Sequence, residues 1–198
     1  MVTELDSKTA LVLLDLQKGI TGMPTAHPTS DVIAKSAELM EAFRSKNLPI
    51  VVVNVNPVGS KWANARVESS MLPKGEEAQK QALAAMQAGG FFDIVPELKT
   101  TADDIFITKG TWSAFPNTAL DEELQKRGIT GLVLAGVATS IAVEGTARDA
   151  SVKGYNITFA TDAMTDMNQS AHDHCISLVF PRIGESGTTA EIISKLKG

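Results

Sequence analysis

Residues 9–14 read TALVLL, and an acidic residue, Asp15, follows at once. The run is apolar almost throughout, as suits a strand covered on both faces. Residues 50–55, IVVVNV, repeat the pattern with β-branched side chains. Between the two runs, Thr29 to Lys46 places Val32, Ile33, Ala37, Leu39, Met40 and Phe43 at helical spacing, with Thr29 or Ser30 as the expected cap. Asn56 to Gly75 contains Pro57, Gly59 and Pro73 and reads as irregular. Further strands are expected at residues 104–108, 132–135 and 156–160. Helices are expected at 76–87, 117–127, 140–153, 171–179 and 189–196. Strands that alternate with helices predict an α/β three-layer sandwich around a doubly wound, mainly parallel sheet. Residues 1–198 are read as a single domain, without repeat or linker.

Composition narrows the partners. The net charge is −5 and the basic residues are scattered, which argues against nucleic acid. No apolar run approaches the roughly 18 residues that span a bilayer, so no membrane partner is expected. Met1 to Lys8 is polar and carries Glu4 and Asp6, unlike a signal peptide. A single cysteine, Cys175, allows no internal disulfide. Together these features suggest a reducing, cytoplasmic setting. A homodimer or higher homo-oligomer is expected because closed two-fold assemblies are the commonest.

Ligands of doubly wound sheets lie outside the carboxyl ends of the strands, near the point where strand order reverses. This directs attention to residues 15–17, 54–59, 109–115, 136–142 and 161–167. Asp15 follows a buried strand, where lost hydration raises a carboxyl pKa unless a cation pairs with it. A helix cap or a solvated turn is the other reading of that position. Lys109, followed by Gly110, reads by itself as a surface lysine, but a lysine near Asp15 would hold the carboxylate or exchange a proton with it. Residues 136–142, GVATSIA, join a strand to a helix, where free amides can hold an anion or oxyanion. Leu16, Trp62, Trp112 and Phe115 are the candidate pocket walls, with Gln17, Asn54 and Asn56 as candidate hydrogen-bonding groups. The tryptophans read equally well as core or interface residues.

Three segments in order, LLDLQ, ITKGTWSAF and GVATSIAVEGTARDA, resemble the isochorismatase-like hydrolases, or cysteine hydrolase superfamily. The resemblance runs from Thr9 to about Ala171. It implies a Rossmann-like sheet, which agrees with the reading above, and hydrolysis of a small-molecule substrate. It also implies acid–base and lysine positions at Asp15 and Lys109, and substrate contacts that include Val137 and Ala138. A non-proline cis peptide in the third motif would map to Val137–Ala138.

Ala142 falls where the family's cysteine would stand, leaving its backbone amide as the expected oxyanion donor. A methyl group cannot attack a carbonyl. Cys175 sits with Ile176 and Leu178 in an expected helix and reads as packing. Thiol-dependent amidases of the family also often carry an Asp-His-His metal site after the second strand. Here that loop reads NVNPVGSKWAN, without histidine, so neither metal nor cofactor is expected. True isochorismatases likewise lack the cysteine and hydrolyse a vinyl ether, a reaction that needs a proton donor and water. Their pattern has a histidine just before the small residue, where this chain has Thr139-Ser140-Ile141. Three functions stay open: a thiol-free Asp/Lys hydrolase, a nicotinamidase-like cysteine amidase inactivated at position 142, and a non-catalytic small-molecule-binding member.

Overall fold

A computed structural model describes residues 1–68, 70 and 72–196. Residues 69 and 71, within the stretch read as irregular, and 197–198, at the end of the expected domain, lie outside the described residues.

The apolar runs become the centre of a sheet. Strand β1 (Thr9–Leu14) is buried along its whole length, as is β4 (Gly131–Val137). They are flanked by β2 (Ile50–Val55), β3 (Ile105–Lys109), β5 (Asn156–Thr165) and β6 (Glu185–Gly187). The order is β3-β2-β1-β4-β5-β6 with every neighbouring pair parallel. Successive strands are added outward on one side of β1 as far as β3 and then on its other side from β4, so the strand order reverses between β1 and β4.

Alternate side chains of β1 serve opposite faces, as the pleat requires. Ala10, Val12 and Leu14 join a core with Leu120 and Leu124 of α4 (Leu120–Lys126), Ala147 and Ala150 of α5 (Glu144–Val152), and Phe180. Leu11 and Leu13 join the other core with Val32, Leu39, Met40 and Phe43 of α2 (Thr29–Ser45) and Ile192 of α7 (Thr189–Lys195). The remaining α-helices are α1 (Lys18–Thr21), α3 (Glu76–Ala88) and α6 (Gln169–His174). Phe159 and Phe180 stack at 3.7 Å between ring centroids, joining β5 to the first core.

Several expectations are corrected. Helix α2 is preceded by Pro28 and has no side-chain cap; the Thr29 hydroxyl donates instead to the Thr21 carbonyl. The helix expected at 140–153 begins as a π-helical turn, Thr139–Val143, and that expected at 171–179 ends as another, Cys175–Val179. Strand β5 continues to Thr165, past an irregularity in its pairing with β4. The three-residue β6 went unforeseen because ESG has no apolar pattern to read.

Gly136 shows why β1 and β4 can lie so close at this end. Its φ is +124°, and a Cβ built there would lie 2.0 Å from the Leu14 carbonyl oxygen. Only glycine fits that conformation and approach.

Candidate active site

Asp15 is the first residue beyond β1, at the point where strand order reverses. Its φ of +54° lies in the left-handed region, which Asp visits more readily than most residues. Lys109 ends β3, two strands away, in register with Val55. The two side chains meet: Lys109 Nζ lies 2.8 Å from Asp15 Oδ2, with side-chain exposures of 1% and 6%. Lys109 Nζ also donates to the carbonyl oxygens of Thr111, at 3.0 Å, and Trp112, at 2.8 Å.

The pair is asymmetric. Asp15 Oδ1 is buried and has no hydrogen-bond partner among the described residues. Burial pushes the Asp15 carboxyl up to about 6, although the Lys109 charge and hydrogen bond pull the other way. A carboxyl group so placed can give and take a proton near neutral pH.

The pair lines a cavity of about 410 Å³ whose other walls are almost wholly apolar. Trp62, Trp112, Val137, Ala138 and Ala142 all line it. Ile20, Met23, Val55, Val67, Thr111, Ile141 and Met167 complete the wall. These were not singled out because an apolar residue in a loop or strand reads as core until its neighbours are known. Val67, Trp112, Ile141 and Met167 are partly exposed and form an apolar rim.

Other candidates sit elsewhere. Gln17 is wholly buried and ties β1 to β2: its Nε2 donates to the Val55 carbonyl, and its Oε1 accepts from the Val55 amide at 2.7 Å. Phe115 lies in the first core, stacked on Tyr155 at 6.0 Å, and Leu16 lies in the second. Asn54 Oδ1 accepts from the Thr108 hydroxyl, and Asn56 Oδ1 from the Val58 amide. None of these five lines the cavity. Leu16, Gln17, Asn56 and Phe115 lie after strands in the sequence, but they turn into packing or local bonds, while Asn54 lies within β2 and bonds across to Thr108 of β3.

The third motif holds a second correction. The Val137–Ala138 peptide is cis, as the resemblance implied. The Ala142 amide, expected as an oxyanion donor, already donates to the Ala138 carbonyl at 2.9 Å. Ile141 and Val143 amides converge on the same oxygen, each at 3.2 Å, as a π-helical turn brings them together. The turn is anchored from behind. Asp166 Oδ2 accepts from the Ser140 amide at 2.7 Å and the Ser140 hydroxyl at 2.8 Å. Thr139 Oγ1 and His172 Nδ1 are hydrogen-bonded at 2.8 Å, with the His27 ring 4.7 Å from that of His172. Burial, then His27, pull the His172 pKa down. Sequence reasoning did not link Asp166 or His172 to this turn, because each is distant from it along the chain.

Cys175 is buried in the first core, and its Sγ donates to Glu144 Oε2 at 2.9 Å. Burial and that carboxylate push the thiol up to about 12, the reverse of what a nucleophile needs. Among the described residues no group of three or more His, Cys, Asp or Glu side chains is placed to hold a metal ion, and no helix is long and apolar enough to cross a membrane. A larger concavity, about 880 Å³, opens at the opposite ends of the strands, but its Arg44 is held by Asp104 at 2.7 Å.

A model of the isochorismatase domain matches residues 9–191. The chain belongs to the isochorismatase family. Among relatives, this isochorismatase-family hydrolase is 37% identical over 190 residues to the family protein YwoC of Bacillus subtilis, a match covering 96% of this chain and 95% of YwoC. The solved structure of an isochorismatase family protein from Burkholderia thailandensis superposes with a TM-score of 0.85 at 32% identity, covering 100% of each chain. Ureidoacrylate amidohydrolase RutB of Acinetobacter baylyi is 27% identical over 157 residues, 72% of this chain and 64% of RutB.

Proposed function

We propose that this hydrolase cleaves a small molecule by acid–base chemistry at Asp15, held by Lys109, with no protein nucleophile. One observation carries the reading: the buried Asp15–Lys109 pair, with Asp15 Oδ1 unpartnered among the described residues, lines a cavity whose nucleophile position, Ala142, is a methyl group. The cavity is of a size that suits a small organic substrate.

Vinyl-ether hydrolysis fits these groups. Protonated Asp15 delivers its proton to the terminal methylene carbon, and the electron pair of the double bond forms the new C–H bond. The resulting oxocarbenium ion takes up water, which returns a proton to the Asp15 carboxylate. The hemiketal then breaks its C–O bond, giving an alcohol and a ketone, so the sum is substrate plus one water. Lys109 binds Oδ2, and Oδ1 has no hydrogen-bond partner among the described residues.

The likeness to RutB favours a second reading, a cysteine amidase altered at its nucleophile position. Ala142 shares the cavity wall with Asp15 and Lys109, so a thiol placed there would face the same space. The test is a screen of vinyl ethers, primary amides and ureido compounds with the parent protein beside Ala142→Cys. Turnover of a vinyl ether by the parent supports the first reading. Amide or ureido hydrolysis by Ala142→Cys alone replaces it with the second. Silence in both overturns the hydrolytic readings in favour of a binding role.

A further inference from the structure

We infer that the Asp15 cavity selects neutral ligands with a hydrogen-bond donor on an apolar body, and rejects carboxylates of the same shape. The inference rests on the reading that this cavity is the reaction site.

An ammonium group has three N–H donors. Those of Lys109 face three partners: Asp15 Oδ2 and the carbonyls of Thr111 and Trp112. None is left for a ligand anion, and among the described residues no other lysine, arginine or histidine lines the cavity. The remaining side-chain donors in the wall, the Thr111 hydroxyl and the indole N–H groups of Trp62 and Trp112, are neutral. A carboxylate entering here would lose hydration with no cation to offset the loss.

Asp15 adds a positive requirement. Oδ1 is a buried acceptor without a donor. When Asp15 is ionised, an amide N–H or a hydroxyl would satisfy that atom, whereas a second carboxylate would meet a like charge. The rim residues Val67, Ile141 and Met167 extend an apolar path from solvent to this point.

The protein carries its own reporter, because both tryptophans of the chain, Trp62 and Trp112, line the cavity. Tryptophan fluorescence is titrated with benzamide, acetophenone and benzoate, which share shape but differ in charge and donor. At about pH 8 benzamide should bind at least about tenfold more tightly than benzoate, with acetophenone between them. Benzoate affinity should rise as pH falls below about 6, where Asp15 loses its charge. Ile141→Lys, at the partly exposed rim, should bring benzoate affinity up towards that of benzamide. Equal affinity for benzoate and benzamide in the parent overturns the inference. So does the absence of a saturable change with benzamide, or a benzoate affinity indifferent to Ile141→Lys. Turnover of a vinyl ether without this selectivity would leave the proposed function standing alone. Selectivity without turnover of any substrate would leave only the inference.

Discussion

The raised Asp15 pKa has a consequence for folding that is measurable without a substrate. The carboxyl group goes from 3.8 in the unfolded chain to about 6 in the buried pair. The folded state therefore holds the proton more tightly, and this group's contribution to stability is fully present below 3.8 and lost as pH rises through about 6. The shift of roughly two units corresponds to about 3 kcal/mol in full, of which about 2 kcal/mol is present at pH 4.5 and almost none at pH 7.5. The double variant Asp15→Asn/Lys109→Met keeps similar shapes and has no titrating group at the site. Urea unfolding of parent and double variant at both pH values isolates the contribution. Relative to the variant, the parent should gain about 2 kcal/mol on going from pH 7.5 to 4.5. A difference that stays constant would mean that burial does not raise the Asp15 pKa. A parent that instead loses stability relative to the variant at the lower pH would mean that Lys109 outweighs desolvation.

Other outcomes follow from the same geometry. Any vinyl-ether turnover should fall as pH rises above about 6, since the acid form of Asp15 is the proton donor, and a kcat/KM profile rising there would refute that role. Asp15→Asn should lower turnover by about a hundredfold to ten-thousandfold with the fold preserved by circular dichroism. Gly136→Ala should destabilise by about 3 kcal/mol or more, because the new Cβ meets the Leu14 backbone; thermal unfolding checks this. Cys175→Ser should keep full activity and cost about 1 kcal/mol of stability, and loss of turnover in a folded variant would place Cys175 in the chemistry. Light scattering should report a homodimer or larger assembly, and a monomer at high concentration would contradict it.

The sequence by itself determined β1, β2, β4 and β5 in outline, because burial on both faces leaves a local record of short, nearly unbroken apolar runs. Strand β3, an edge strand with Phe106 exposed, was legible only as a short strand between helical patterns. The sequence also pointed to Asp15, Lys109 and the segment at 136–142, since alternation implies a parallel sheet and a parallel sheet puts its loops for binding at one end. Tertiary structure alone decided which of those loop residues meet. Lys109 reaches Asp15 because β3 and β1 lie on either side of β2, and strand order is not encoded in any local period. It also decided that Gln17 and Phe115 turn into packing while Ile20, Met23 and Met167 reach the cavity. The backbone alone set the direction of the Ala142 amide, through a π-helical turn drawn tight on Ala138. The physical reason is common to these cases. Periodicity records whether a residue is buried, whereas the partner it is buried against depends on contacts between segments far apart in the chain.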